Sequence, residues 1–193
     1  MRRLVFAVLA VAPLAAGGAR AETDTELNER LAGAMQATNV LVTQLTGALK
    51  QALEVGGPVN AIVVCRDVAP TLAYQLSTQT GWKVTRVGTR VRDPLLGSPD
   101  AFEQKVLMSF AKKLAMGDKP DSLVHAEVVN EPQGRFFRFM KGLPTGEPCL
   151  SCHGVTLGED VRAALATGYP KDKATGYLAG DLRGAVSIKQ KID

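Results

Sequence analysis

Glu147-Pro148-Cys149-Leu150-Ser151-Cys152-His153-Gly154 constrains this chain more than any other stretch. Two thiols three positions apart can reach the two vinyl groups of one porphyrin and form thioethers. A histidine directly after the second can turn its ring under the iron. C-x-x-C-H is accordingly the attachment signature of c-type haem. The expectation is one haem c, covalently attached through Cys149 and Cys152, with His153 as proximal iron ligand. Two other readings of the spacing exist. A Cys149–Cys152 redox disulfide of thioredoxin type should follow a strand and open a helix, whereas Gly142, Pro144, Gly146 and Pro148 place this motif in a loop. A zinc site would take Cys65, Cys149, Cys152 and one of the two histidines.

The beginning of the chain speaks for export. Arg2-Arg3 is a short basic region, Leu4 to Leu14 an apolar core, and Ala19-Arg20-Ala21 a small-residue cleavage site. Residues 1–21 thus read as a Sec-type signal peptide cleaved after Ala21, with a periplasmic mature chain. Arg2, Arg3 and Arg20 leave with that segment, so the formal charge of +4 falls to 20 basic against 19 acidic residues. So even a balance gives no reason to expect nucleic acid or an anionic membrane surface as partner. Two of the three cysteines are assigned to the motif; the third, Cys65, needs an explanation in an oxidising compartment.

Residues 22–56 read as a long N-terminal helix and 57–193 as the haem domain. Thr23 and Glu26 have the spacing of a capping box. Leu27, Leu31, Met35, Thr38, Val42, Leu45, Leu49 and Ala52 follow at steps of four and three, a seam of about 45 Å at 1.5 Å per residue. Gly56-Gly57-Pro58 closes it. The seam suits either packing on the chain's own sheet or a homodimer through a second copy of the helix.

Pro58 and Pro70 stand where first-turn prolines stand, so 58–67 and 70–79 read as two short helices. Cys65 then faces inward, either as a small buried hydrophobe or as the second axial ligand of the iron. His125 and the thioethers Met35, Met108, Met116 and Met140 compete for that place, and residue chemistry alone does not separate the three kinds. Beyond Gly81, Trp82–Val87 alternates like a strand, and Ser98 caps a helix whose first position is Pro99. Leu123–Val129 and Gly134–Met140 form an antiparallel pair, Gly158–Ala166 a short helix and Gly184–Lys191 a last strand. This order gives an α+β fold, a small antiparallel sheet with flanking helices. Arg86, Arg90, Arg92, Arg135, Arg138 and Lys141 are the basic groups nearest the motif. Arg138, in the Phe136-Phe137-Arg138-Phe139 run, is the one expected to hold a haem propionate.

Several stretches together carry a family resemblance: Ala61-Ile62-x-x-Cys65 with Ala69-Pro70, Trp82 with Arg86, and Arg92-x-Pro94 with Pro99-Asp100. Phe137-Arg138-Phe139-Met140 running into the Cys149–Gly154 motif belongs with them. So do Tyr169-Pro170, Asp172 to Tyr177, and Gly180-Asp181-Leu182-Arg183-Gly184-Ala185. From about residue 54 to 191 the chain resembles the single-haem c-type haem family proteins with a PAS-like fold, found in cyanobacteria and proteobacteria. One departure is Asp93 with Leu95-Leu96, where the family more often reads Arg-Asn-Pro-x-Asn. The resemblance implies a PAS-like sheet and iron held by His153 and, unusually, by Cys65.

Two classes of function follow from that resemblance. One is a periplasmic redox or diatomic-gas sensor, passing its state to a signalling partner and taking CO or NO on reduced iron. The other is a low-potential electron carrier working with a redox partner. An enzyme such as a peroxidase needs an open iron site with a distal acid-base group, for which His125 alone speaks.

Overall fold

The computed structural model describes residues 23–192; the signal peptide expected at 1–21 lies outside them. Helix α1 spans Asp24–Val63 and opens with the expected capping box: Glu26 N donates to Thr23 Oγ1 at 3.3 Å, and Thr23 N donates to Glu26 Oε2 at 2.7 Å. Its regular path breaks at Gly56 and Gly57, the latter at φ +66°, where a side chain would be strained. Helical geometry resumes at Pro58, becomes a π-helical turn at Val64–Val68, and continues as α2 (Ala69–Thr80) until Gly81, at φ +70°. The two short helices expected after Pro58 are therefore one continuous helical path with a π turn at its joint. No helix among the described residues is long and apolar enough to cross a membrane.

Strands β1 (Lys83–Gly88), β2 (Val124–Glu131), β3 (Gly134–Pro144) and β4 (Leu182–Ile192) form one antiparallel sheet in the order β1-β4-β3-β2. The register sets Val84 and Phe139 on either side of Ile188. Because side chains alternate along a strand, Phe137, Phe139, Val186 and Ile188 share one face and pack on α1 and α2, with Ala34, Ala37 and Leu41 buried among them. Leu27, Leu31, Met35 and Val42 flank that contact. The Leu27–Val42 part of the apolar seam of α1 thus packs on the chain's own sheet. Small residues let the helix lie close: a Cβ on Gly33 would come within 2.7 Å of the Trp82 ring.

The opposite face carries Met140 and Ala185 and is covered by helix α4 (Ala101–Ala115) through Val106, Leu107 and Phe110. The cap of α4 differs from the Ser98–Pro99 start expected. Asp100 is the N-cap, exchanging hydrogen bonds with Glu103 in a second capping box. Ser98 is drawn away because its hydroxyl donates to Pro94 O at 2.7 Å, at the end of a short helix α3 (Pro94–Gly97). Helices α5 (Leu150–His153) and α6 (Glu159–Gly168) lie between β3 and β4. The whole is an α+β fold, as expected.

Candidate functional site

The motif sits on a tight helical turn rather than in the loop expected from its glycines and prolines. A 3-10 turn at Glu147–Cys149, started by Pro148, runs directly into α5. Helical spacing then places the Cys149 and Cys152 thiols three residues apart on one side. The Cys152 thiol lies 3.6 Å from Pro58 O, and burial pushes its pKa up. All three cysteines are free. Among the described residues no three His, Cys, Asp or Glu side chains converge as a metal site, so the zinc arrangement is not formed.

His153 is 9% exposed and held on three sides. Its Nδ1 lies 2.7 Å from Ala174 O. A carbonyl can only accept, so Nδ1 carries the proton and Nε2 keeps its lone pair, the tautomer of a metal-binding imidazole. Burial, then the positive charge of Arg92, lowers the pKa of His153 to about 3, which keeps the ring neutral. Tyr177 N donates to His153 O at 3.0 Å and Gly176 N to Gly154 O at 2.9 Å, a short parallel bridge. The Tyr177 ring meets the imidazole edge-on, with centroids 6.2 Å apart.

Arg92 ties this assembly together. Its Nη2 donates to Cys152 O at 2.6 Å and to Ala174 O at 3.2 Å, the same carbonyl that orients His153. Its Nε pairs with Asp172 at 3.2 Å, both side chains only 10% exposed. Arg92 is therefore a positioning residue. Arg92→Gln would leave the Asp172 carboxylate nearly buried without its cation, a loss of about 3 kcal/mol. Urea unfolding measures that loss, and Arg92→Lys should recover only part of it because a compact ammonium cannot reach the separated acceptors that the planar guanidinium fork spans.

His153 borders a cavity of about 340 Å³, within the range of small-molecule and cofactor sites. Cys65, from the π turn, lines the same cavity. Such turns recur at functional sites because they rotate one side chain out of the helical row. The opposing wall is largely apolar, with Val84, Val91 and Leu143. Tyr74 and Leu96 line it while remaining 72% and 57% exposed, an apolar surface that a flat apolar ligand would cover.

The other sixth-ligand candidates do not line this cavity. Met35 packs against the α1 side of the sheet core and Met140 is buried against α4. Met108 and Met116 are exposed, and His125 sits on β2 beside Glu127, 3.3 Å away. Arg138 is likewise not brought to the cavity. On β3 it is one residue out of step with Phe137 and Phe139, so it points to the α4 face, where it is 2% exposed. There it donates to Asp100 at 2.7 Å and Glu131 at 2.8 Å, lies 3.5 Å from Glu103 and stacks on Phe102. The cavity instead receives Arg86 and Arg183, with Arg66, Lys83, Arg90 and Arg92 also on its lining. Arg86 was among the basic groups singled out from the sequence. Arg183 was missed, although it lies in the Gly180–Ala185 stretch that carries the resemblance.

Fold and site together define a class: an antiparallel four-stranded sheet domain with a long N-terminal helix and a cysteine- and histidine-lined cleft beside a C-x-x-C-H turn. Residues 17–190 match the model of the Tll0287-like family, and the chain belongs to that family. Among solved structures, the cyanobacterial heme-protein Tll0287 superposes with a TM-score of 0.67 at 20% sequence identity. The match covers 86% of this chain and 96% of that one. At that identity the likeness is one of fold. No curated protein matches the chain.

Proposed function

We propose that this protein binds one haem c, covalently attached through Cys149 and Cys152, with His153 and Cys65 as its axial ligands. The observation that carries the reading is that the neutral, carbonyl-oriented imidazole of His153 and the thiol of Cys65 border one apolar-walled cavity beside the attachment cysteines. The solved family relative is itself described as a heme-protein. Bound there, haem supplies one-electron chemistry and a site for diatomic ligands, with an anionic thiolate favouring ferric iron.

Within that reading the protein is a periplasmic redox or gas sensor. Cys65 sits at the joint between two helices rather than inside a rigid one, so its attachment to or release from iron would act directly on the α1–α2 path. CO or NO on the reduced protein would occupy the place Cys65 leaves. The second reading, a low-potential electron carrier, requires Cys65 to stay bound in both oxidation states.

The test is the electronic and electron-spin-resonance spectrum of the ferric protein beside Cys65→Ala. A low-spin thiolate signature present in the first and lost in the second is expected. Identical spectra would remove Cys65 from the iron. Reduced protein that keeps a six-coordinate spectrum and ignores CO and NO would remove the sensor reading in favour of the carrier.

A further inference from the structure

We propose that Arg86 and Arg183 form the carboxylate-binding pair of the cleft and receive the two propionate groups of the porphyrin; this rests on the haem reading above. Both side chains line the cavity that holds Cys65 and His153. Neither makes a hydrogen bond or ion pair with any described residue, and Arg183 Nε is buried without an acceptor. The neighbouring arginines are already engaged. Arg66 pairs with Asp67 at 2.8 Å, Arg90 donates to Thr175 O at 2.6 Å, and Arg92 is taken up by Asp172 and two carbonyls.

The fold brings the two free guanidiniums together from adjacent strands. Arg86 on β1 stands opposite Val186 of β4, two places along from the Gly88–Gly184 pair, and Arg183 directly precedes Gly184. The strands meet so closely there that a Cβ on Gly184 would lie 2.1 Å from Val87 O. One carboxylate, Asp93, lines the cavity, but it pairs with neither guanidinium, and two like charges left unpaired in an enclosed site weaken a fold. Burial, then the charge of Arg183, holds the Arg86 guanidinium below its ordinary pKa. An iron-bound thiolate at Cys65, on the haem reading, would offset only one of the two cations. A ligand with two carboxylates offsets both, and planar guanidinium forks match carboxylates two bonds at a time.

The experiment uses haem-loaded full-length protein carrying haem labelled with carbon-13 at the propionate carboxyls. Infrared titration reads carboxylate ionisation in wild type, Arg86→Gln, Arg183→Gln and the double variant. In the double variant at least one propionate should bind its proton at least tenfold more tightly, with intermediate effects in the singles and recovery in Arg86→Lys/Arg183→Lys. The haem-free double variant should unfold at the same or a higher temperature than haem-free wild type, since it has lost a repulsion. Haem-loaded protein whose propionate titration ignores both substitutions overturns the pair alone. Loss of the Cys65-dependent spectrum with an unchanged propionate titration also overturns it, assigning Arg86 to the thiolate. A wild-type chain that takes up no haem overturns the haem reading and this pair with it.

Discussion

Replacing Cys65 with alanine is expected to raise the midpoint potential of the haem-loaded protein by on the order of 0.1–0.3 V, part of the roughly 0.8 V range that axial ligands span. An anionic sulfur stabilises the ferric charge more than the ferrous one, and removing it takes that preference away. His153 contributes no charge of its own, being held neutral by burial and then by Arg92. Spectroelectrochemical titration checks the shift. A potential within a few tens of millivolts of wild type would show that Cys65 is not the charge beside the iron. Cys65→Ser, closest in volume, separates loss of the ligand from loss of packing.

Arg138→Met is expected to cost about 3–5 kcal/mol of folding stability at neutral pH, the usual penalty for removing one member of a buried charge cluster. Arg138 is 2% exposed and faces Asp100, Glu103 and Glu131 at once. Burial alone would lower its pKa, yet the hydrogen bonds to Asp100 and then Glu131 outweigh burial and raise it. Without it Glu103, 7% exposed and accepting from Ser187 Oγ at 2.6 Å, is left in the α4–sheet interface with no guanidinium. The acid side follows from the carboxylates. The Glu131 carboxyl is held low by its hydrogen bond from Lys189, with a further one from Arg138. For Asp100, burial pulls upward and is overcome by the Glu103 amide and Arg138.

Both carboxyls titrate lower folded than unfolded, so the stability they contribute is complete above the ordinary carboxylate range near pH 4. It disappears as pH falls through the lower folded values. Urea titrations at pH 7 and pH 3 should therefore show the Arg138→Met deficit shrinking in acid, where the carboxylates take up protons. A deficit equal at both pH values would mean that packing on Phe102, rather than charge, is what Arg138 supplies.

The same residue shows why part of the site was not legible beforehand. In the sequence Arg138 lies among aromatics on the approach to the motif, and proximity along the chain made it the natural propionate partner. On a strand, proximity says nothing about side: Phe137 and Phe139 face α1 and α2, and the residue between them must face α4. Arg183 had the opposite fate. Far from Arg86 in the chain, it reaches the cavity only because β4 pairs with β1, a contact between segments about a hundred residues apart. The cap of α4 was decided in the same way on a smaller scale. Ser98 and Asp100 are both good caps, and the choice between them was made by Pro94 O taking the serine hydroxyl.

What the chain determined by itself is short-range. The spacing of Cys149, Cys152 and His153, the capping box at Thr23 and the break at Gly56-Gly57 are set by bonds reaching only a few residues, and all can be read in order along the chain. Tertiary structure decided which distant side chains share a cavity with His153. Cys65 enters it from the π turn that joins α1 to α2, while His125 and the methionines are held elsewhere. Arg86 and Arg183 enter it because β1 and β4 pair. The physical reason is one of dimension. Local rules fix the direction of each side chain relative to its own backbone, and only the packing of helices and sheet against each other turns those directions into a common enclosed space.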